Sequence, residues 1–285
     1  MNNNIRVAAI HDLSGVGRCS LTVILPIMSA MGIQVCPVPT AVLSTHTGGF
    51  GEVVMRDLTD YISPALSHYK KLKLDFDCVY SGFLASTGQI DHCLEFFSSF
   101  PNALKVVDPV MADHGKPYKT CTAELRQRMS ELAAVADIIT PNMTEAAILL
   151  GEDPGLIPQS SSQIKSLLAR LSELGPKTVV ITSVYYAGGC CNVGFDRENN
   201  KFWKVPYVQV NAGYPGTGDA FSSVLTGSLL TGDSLPIAMN RAAEFLELAI
   251  KTTYSYSTDP REGISFERCL QFLMSRPNLC GYETL

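Results

Sequence analysis

Short apolar runs rich in β-branched residues alternate with helix-period segments along most of the 285 residues. The runs fall at 5–10, 33–38, 78–81, 104–107, 138–140 and 178–181. Most are apolar at successive positions rather than at every second one, the pattern of a strand covered by helices on both faces. Between them lie amphipathic stretches. In 161–174, Ile164, Leu167, Leu168, Leu171 and Leu174 follow the helical period, and Gly175–Pro176 ends it. A second long helix is predicted over 236–254, with Ala238, Ala242, Phe245 and Ala249 on one stripe. This alternation predicts an α/β fold built on a mostly parallel central sheet. Right-handed crossovers then bring the C-terminal ends of the strands, and with them the ligand site, to one edge. Only residues 188–208 break the rhythm, and they read as a β-hairpin turning at the Asp-Arg-Glu-Asn-Asn of 196–200. With no linker, repeat or low-complexity tract, residues 1–285 read as a single domain.

Composition narrows the function classes. With 46% hydrophobic and 17% charged residues the chain has the means to build a core, which excludes disorder. Twenty-two basic residues against 27 acidic ones leave a net charge of −5, with no excess to grip nucleic acid or an anionic membrane. The longest apolar stretch, 21–35, is interrupted by Pro26 and Gly32 and falls short of the ~18–20 residues of a membrane helix. The N-terminal Met-Asn-Asn-Asn-Ile-Arg leads directly into the first strand, so no signal peptide is read and a cytoplasmic location is expected. The nine cysteines (Cys19, Cys36, Cys78, Cys93, Cys121, Cys190, Cys191, Cys269 and Cys280) are odd in number and lack any C-x-x-C pair. They read as structural thiols of a reducing compartment, with vicinal Cys190–Cys191 the one pair marked for redox chemistry.

Five segments carry candidate chemistry. In 213–230, Gly216 and Gly218 make a tight loop that opens directly into an apolar helix. Such a loop aims backbone N–H groups and the positive end of a helix dipole at one spot, which suits an anion such as a phosphoryl group in transfer. Asp219 in the same first turn can accept a proton from an attacking hydroxyl. The plainer alternative is a favourable first-turn carboxylate behind turn glycines. In 11–21, directly after the first strand, Gly15 and Gly17 fit neither a dinucleotide fingerprint nor a Walker loop. Asp12 and Ser14 there offer an acceptor and a hydroxyl to a polar small molecule. In 108–118, Asp108, Asp113 and Lys116 can face phosphates or a metal, or can belong to a solvated connection; 115–117 reads as a mobile loop. In 140–146, Asn142 and Glu145 fit a capping arrangement, and the same pair can serve a hard metal through waters. In 44–51, His46 between two threonines and before two glycines suits a loop folding over a ligand, or a structural histidine. All five lie where chain polarity puts one edge of a parallel sheet.

Taken together, these segments resemble the vitamin-kinase branch of the ribokinase-like superfamily, the pyridoxal/pyridoxamine kinases and their hydroxymethylpyrimidine kinase relatives. The resemblance spans about residues 5–275. It is carried by Gly216-Thr217-Gly218-Asp219, Thr140-Pro141-Asn142-x-x-Glu145, Asp108-Pro109-Val110 and Ser44-Thr45-His46-Thr47-Gly48. It implies a three-layer α/β/α sandwich with a small lid, and often a dimer interface near the sheet edge, so a homodimer is expected. It implies ATP as co-substrate, Mg2+, and often a monovalent cation such as K+. By that resemblance Gly216, Thr217 and Gly218 form the anion hole and Asp219 is the catalytic base. Asp113, Asn142 and Glu145 serve the metal, while Asp108, Asp113, Lys116, Asn142, Thr182, Ser183 and Thr217 contact ATP. Asp12, Ser14, Leu43, His46, Thr47 and Phe83 are the substrate contacts. Two local patterns pull in different directions. The His11-Asp-Leu-Ser-Gly loop looks like the Asp-x-Ser-Gly loop of the pyrimidine kinases, whereas Ser-Thr-His-Thr-Gly is close to the Ser-Asn-His-Thr-Gly of pyridoxal kinases, and Phe83 stands where these often carry an aromatic residue.

The expected activity is transfer of the ATP γ-phosphoryl to the 5′-hydroxymethyl of pyridoxal, pyridoxine or pyridoxamine. The rival within the class is hydroxymethylpyrimidine kinase. A sugar kinase fits less well, because Phe83 and the apolar loop suit a flat ring. A silent B6-vitamer binding protein is opposed by the intact Asp219, and a nicotinamide-dependent oxidoreductase by the missing fingerprint.

Overall fold

The computed structural model describes residues 4–155, 157–210, 213–275 and 281–285. Its strands, in chain order, are β1 (Arg6–Val16), β2 (Gln34–Thr45), β3 (Met55–Asp57), β4 (Cys78–Ser81), β5 (Leu104–Val107), β6 (Ala112–Asp113), β7 (Lys116–Pro117), β8 (Ile138–Ile139), β9 (Thr178–Tyr186), β10 (Gly189–Asp196), β11 (Lys201–Tyr207) and β12 (Glu283–Thr284). Ten of them form one sheet in the order β12-β11-β10-β9-β8-β5-β4-β1-β2-β3. The six strands from β9 to β2 pair in parallel. The β10, β11 and β12 strands continue one side antiparallel, and β3 closes the other side antiparallel to β2. The small β6–β7 hairpin stands apart.

Successive residues of the central strands enter opposite cores, as the pleat requires. Ala8, Ile10, Val79, Val107, Ile139 and Val179 face the core shared with helices Thr59–Lys71, Gly88–Ser99, Ala123–Val135 and Ser161–Glu173. Val7, Ala9, Cys78, Tyr80, Val106 and Ile138 face helix Leu21–Ala30, and Val180 faces helices Thr217–Leu230 and Leu235–Ser255. The result is the expected three-layer α/β/α sandwich. Among the described residues no helix is long and apolar enough to cross a membrane.

The apolar runs are the strand cores, but β1, β2 and β9 extend past them. Strand β1 continues through Asp12 and Ser14 to Val16, pairing with β2 as far as Val16↔Thr45 across an irregularity between His11 and Leu13. Asp12 and Ser14 therefore lie within a strand, not in a loop after it. The polar residues there do not break the ladder because main-chain pairing satisfies the backbone whatever the side chains are. For the same reason β9 runs through Thr182 and Ser183 into the hairpin with β10. Residues 115–117, read as a mobile loop, form the turn and second strand of the β6–β7 hairpin.

All eight described cysteines are free thiols, and Cys280 lies outside the described residues. Cys190 and Cys191 are both free thiols. Consecutive on β10, they point to opposite faces: the Cys190 thiol reaches Gln209 Oε1 at 3.0 Å and the Cys191 thiol faces the Val184 carbonyl at 3.6 Å.

Candidate active site

The strand ends and loops converge on the N-terminus of helix Thr217–Leu230. Its cap, Gly216, sits in the left-handed region (φ 79°) that only glycine enters without strain. Its carbonyl accepts the first helical bond, from Ala220 N at 3.0 Å. No side chain caps the free amides of the first turn, so they face outward with the helix dipole behind them. Thr217 adds its amide, since its hydroxyl donates back to the Tyr214 carbonyl at 3.2 Å.

Asp219, in that first turn, is held on both carboxylate oxygens by β1 and the segment following it. Oδ2 accepts a 2.6 Å hydrogen bond from Ser20 N, and Oδ1 lies 3.1 Å from His11 Nε2. This second contact is an ion-pair approach without the alignment of a full hydrogen bond. Ser20 takes a positive φ of 58° to deliver its N–H, unusual for a residue with a β-carbon. On its other side His11 Nδ1 lies 2.9 Å from Asp12 Oδ1, and Asp12 Oδ2 accepts from the Ser14 hydroxyl at 2.9 Å. Burial opposes charge on His11, but Asp219 and Asp12 together raise its pKa to about 10. Burial would raise Asp12; His11 outweighs it and draws the carboxyl below its usual value. Asp12 and Ser14, expected as substrate contacts, are thus engaged with each other and with His11, and Ser14 is fully buried.

Beyond the end of β5, buried Asp108 accepts a 3.1 Å hydrogen bond from Ser222 of the same helix, and Ser222 pairs with Thr140 at the end of β8. Burial, then the Asp219 charge, push the Asp108 carboxyl up to about 7. Asn142 and Glu145 form a reciprocal capping box on helix Met143–Leu149. Glu145 Oε2 accepts from Asn142 N, and Oε1 accepts from Met111 N at 2.9 Å. The Asn142 amide donates to the Ala112 carbonyl, and the Thr144 hydroxyl accepts from Gly115 N, so the cap also anchors the β6–β7 hairpin. Burial and then Asp108 raise the Glu145 carboxyl well above its usual range. Asp113 and Lys116 sit in that hairpin, Asp113 half-exposed and Lys116 exposed. Tyr118 follows it, and burial together with the charges of Asp113, Glu145, Asp219 and Asp108 keeps its phenol neutral.

Buried carboxylates that raise one another's pKa suit a cation. Among the described residues no group of three or more His, Cys, Asp or Glu side chains makes a metal cage. Mg2+ needs none, because it keeps most of its water and uses phosphate oxygens with one or two carboxylates.

Of the remaining candidates, Thr182 lies beside Asn142 through a bridge between β9 and the end of β8, its N–H donating to the Pro141 carbonyl at 3.0 Å. Ser183 is exposed and donates its N–H to Asn192 Oδ1. Leu43 is buried on β2 in register with Ser14, and half-buried Phe83 follows β4, its carbonyl accepting from the Thr40 hydroxyl. Thr47 is exposed. His46 does not offer a free nitrogen: Nδ1 accepts from Gly48 N at 3.0 Å, so Nε2 carries the proton and donates to the Arg261 carbonyl at 2.6 Å. Its ring stands edge-on to Phe50, over which Arg261 is also placed. His11, Ser20, Ser222 and Arg261 were not among the candidates read from the sequence. His11 adjoins Asp12 at the end of an apolar run, but nothing local distinguishes it from a packed core histidine.

Loops from the C-terminal ends of parallel strands, gathered around a glycine-opened helix with a carboxylate in its first turn, define a ribokinase-like phosphotransferase fold. The chain belongs to the phosphomethylpyrimidine kinase family, whose sequence profile matches residues 25–262, and through it to the branch that includes the pyridoxal kinases. A Bacteroides thetaiotaomicron protein provisionally named a phosphomethylpyrimidine kinase superposes with a TM-score of 0.96 at 43% identity, covering 100% of this chain and 99% of that one. A second crystal form of it, with pyridoxal, gives 0.95. Pyridoxal kinase from Lactobacillus plantarum superposes at 0.87 with 30% identity over 96% of this chain and 97% of its own. The thiamine biosynthetic bifunctional enzyme of Arabidopsis thaliana is 28% identical over 240 residues, 82% of this chain; the chain spans 44% of that enzyme's length.

Proposed function

We propose that this protein is an ATP-dependent pyridoxal kinase, moving the γ-phosphoryl group to the 5′-hydroxymethyl of a B6 vitamer. The observation that carries the reading is the Asp219 carboxylate, presented at the mouth of the glycine-opened helix. The choice of vitamer draws support from the 43%-identical Bacteroides protein crystallised with pyridoxal.

In this reading Asp219 accepts the proton of the hydroxymethyl group as its oxygen attacks. The amides of Gly216, Thr217 and Gly218 stabilise the charge on the transferring group, where positioning and electrostatics supply most of the rate. Asp113, Asn142 and Glu145 would hold a Mg2+ ion through its water shell, and the ion would supply neutralisation of phosphate charge. Asp108, Lys116, Thr182 and Ser183 line the ATP side. The β6–β7 hairpin, tied down through Asn142 and Thr144, excludes water from the γ-phosphate. Leu43, Thr47 and Phe83 border the ring, with His46 setting the loop that carries Thr47.

The test is ATP consumption by the purified protein with pyridoxal, pyridoxamine, pyridoxine and hydroxymethylpyrimidine in parallel. Turnover of the vitamers with the higher kcat/KM supports the reading. A higher kcat/KM for the pyrimidine replaces it with a hydroxymethylpyrimidine kinase. Binding of vitamer without ATP consumption makes the protein a binder.

A further inference from the structure

His11 has the geometry of a device aimed at Asp219 and appears in none of the roles above. It is 1% exposed at the end of the buried part of β1, a place where an apolar side chain would cost less. Room is made for it: a β-carbon on Gly82, just after β4, would stand 2.0 Å from the imidazole Cδ2. Its Nδ1 lies 2.9 Å from Asp12 Oδ1 and its Nε2 3.1 Å from Asp219 Oδ1, and Asp12 is itself fixed by the Ser14 hydroxyl. Nδ1 also receives the Asp12 N–H at 3.0 Å, so Asp12 anchors the ring through both main chain and side chain, and the carboxylates at its two ends together favour the charged ring against burial.

We infer that His11 is the positioning residue of the base: the ring, held in place by Asp12, fixes the Asp219 carboxylate and sets a positive charge against it. The inference rests on the reading of Asp219 as the base.

The groups facing this pair are few. Asp12 comes from the same strand, Tyr80 from β4 with its ring edge-on to the imidazole, Asp108 from the end of β5, and Cys19 from the segment after β1. Tyr118 faces Asp219 from beyond the hairpin. Tyr80, Tyr118 and Cys19 are all held neutral by burial first and carboxylate charge second, so His11 is the cation set among these acids. Asp108, buried with a serine hydroxyl for a partner, is pushed up to about 7 by its burial first and the Asp219 charge second.

The experiment is the pH dependence of kcat/KM for pyridoxal phosphorylation in the wild type and in His11→Gln, Asp12→Asn and Asp219→Asn. Calorimetric ADP binding serves as the check on folding. His11→Gln keeps an N–H donor and removes the charge. The acidic limb should then move up by about 1–3 pH units, the effect of an opposite charge at this distance, with activity recovering towards the wild-type level at alkaline pH. Asp12→Asn should move it the same way by less, and it supplies the readout if His11→Gln fails to bind ADP. An unshifted limb, or a loss equal at every pH in protein that binds ADP, overturns the inference. Near-wild-type turnover in Asp219→Asn overturns instead the underlying assignment of the base. An inactive Asp219→Asn beside an unshifted His11→Gln removes only the role of His11.

Discussion

The carbonyl oxygen of Arg18 stands where Gly216 leaves no room for a side chain: a β-carbon on Gly216 would lie 2.0 Å from it. A β-carbon on Gly263 would meet the same oxygen at 2.8 Å, and Arg18 N donates to the Glu262 carbonyl at 3.0 Å. Three segments distant in sequence, 15–20, 213–219 and 259–263, are thereby locked together at the helix N-terminus. Gly216 and Gly263 serve this close approach as much as any phosphate.

Gly216→Ala should therefore fail twice. The left-handed conformation costs a residue with a β-carbon about 1–2 kcal/mol, and the clash with Arg18 forces the helix start away from the β1 segment. The expected result is a melting temperature lower by several degrees together with a loss of kcat. An alanine variant matching the wild type in both would show that the loop tolerates a shift and that its geometry is not what sets the rate.

Asp219→Asn should bind ADP and pyridoxal within a few-fold of the wild type and lose about 10²-fold or more in kcat, as expected when a positioned base is removed. Ser20 N–H can still donate to the asparagine carbonyl, so the fold should stand. Single-turnover rates with saturating ATP and pyridoxal make the check.

Two buried groups make the stability of the ligand-free protein fall as pH rises. Asp108 moves from an ordinary 3.8 to about 7, so between those values the native state holds a proton that the unfolded chain has released. By linkage, stability declines as pH rises through that window. His11, raised from 6.5 to about 10, has the same sign in the next window: its contribution is complete below pH 6.5 and lost as pH climbs to about 10. Asp108→Asn should accordingly flatten the melting-temperature profile between about pH 4 and 7 while leaving the decline above pH 7 in place. A parallel profile in the variant would mean that Asp108 ionises without cost to the fold.

The layers of the fold were legible in the sequence because buried strands need apolar residues on both faces. The runs at 78–81 and 104–107 coincide with β4 and β5 for that reason. The extensions of β1 and β9 were not legible, since past residue 10 and past residue 181 the strands continue on main-chain bonds with polar side chains. The candidate site was legible as a set of loops at one edge. What each polar group faces was not. Asn142 and Glu145 carry the capping spacing in sequence and form the cap in structure, but that Glu145 also receives Met111 N depends on the hairpin packing above it. His11 is the clearest case, because its two partners lie one and 208 residues away and only the fold brings the second into reach.

Glu145→Gln separates two roles that coexist in one side chain. In the cap both oxygens accept backbone N–H groups, so an amide must turn its NH2 towards one of them; a buried donor left facing a donor costs about 1–3 kcal/mol. A lower melting temperature is therefore expected whatever the metal does. If Glu145 also holds the Mg2+ water shell, the Mg2+ concentration for half-maximal rate should rise, with a smaller effect on apparent pyridoxal affinity. A lowered melting temperature with an unchanged Mg2+ titration would confine Glu145 to the cap.

Choice between pyridine and pyrimidine alcohols should lie with the loop after β2 and with Phe83. Both substrates present a hydroxymethyl on a flat ring, so the helix N-terminus and Asp219 cannot tell them apart. Discrimination falls to the groups that border the ring, and a site that hydrogen-bonds its substrate rejects an analogue lacking the partner better than an apolar wall does. The structure alters which groups can do this. Asp12 and Ser14 are turned to His11, and the His46 ring is engaged at both nitrogens, by Gly48 N and the Arg261 carbonyl. His46 thus acts as a strap from residues 46–50 to the 259–263 segment, and Thr47, which it carries, is the polar group left to meet the ring. His46→Ala should loosen that strap, raising KM for pyridoxal and eroding the preference for B6 vitamers in kcat/KM. Phe83→Ala should erode it by removing an apolar wall. ATP affinity should stay within a few-fold in both, since neither residue lies on the side of β5, β8 and β9. The measurement is kcat/KM for pyridoxal and for hydroxymethylpyrimidine in the wild type and both variants. Unchanged ratios in the two variants would place the ring pocket elsewhere, whereas a loss confined to ATP affinity would move the β2 loop to the nucleotide side.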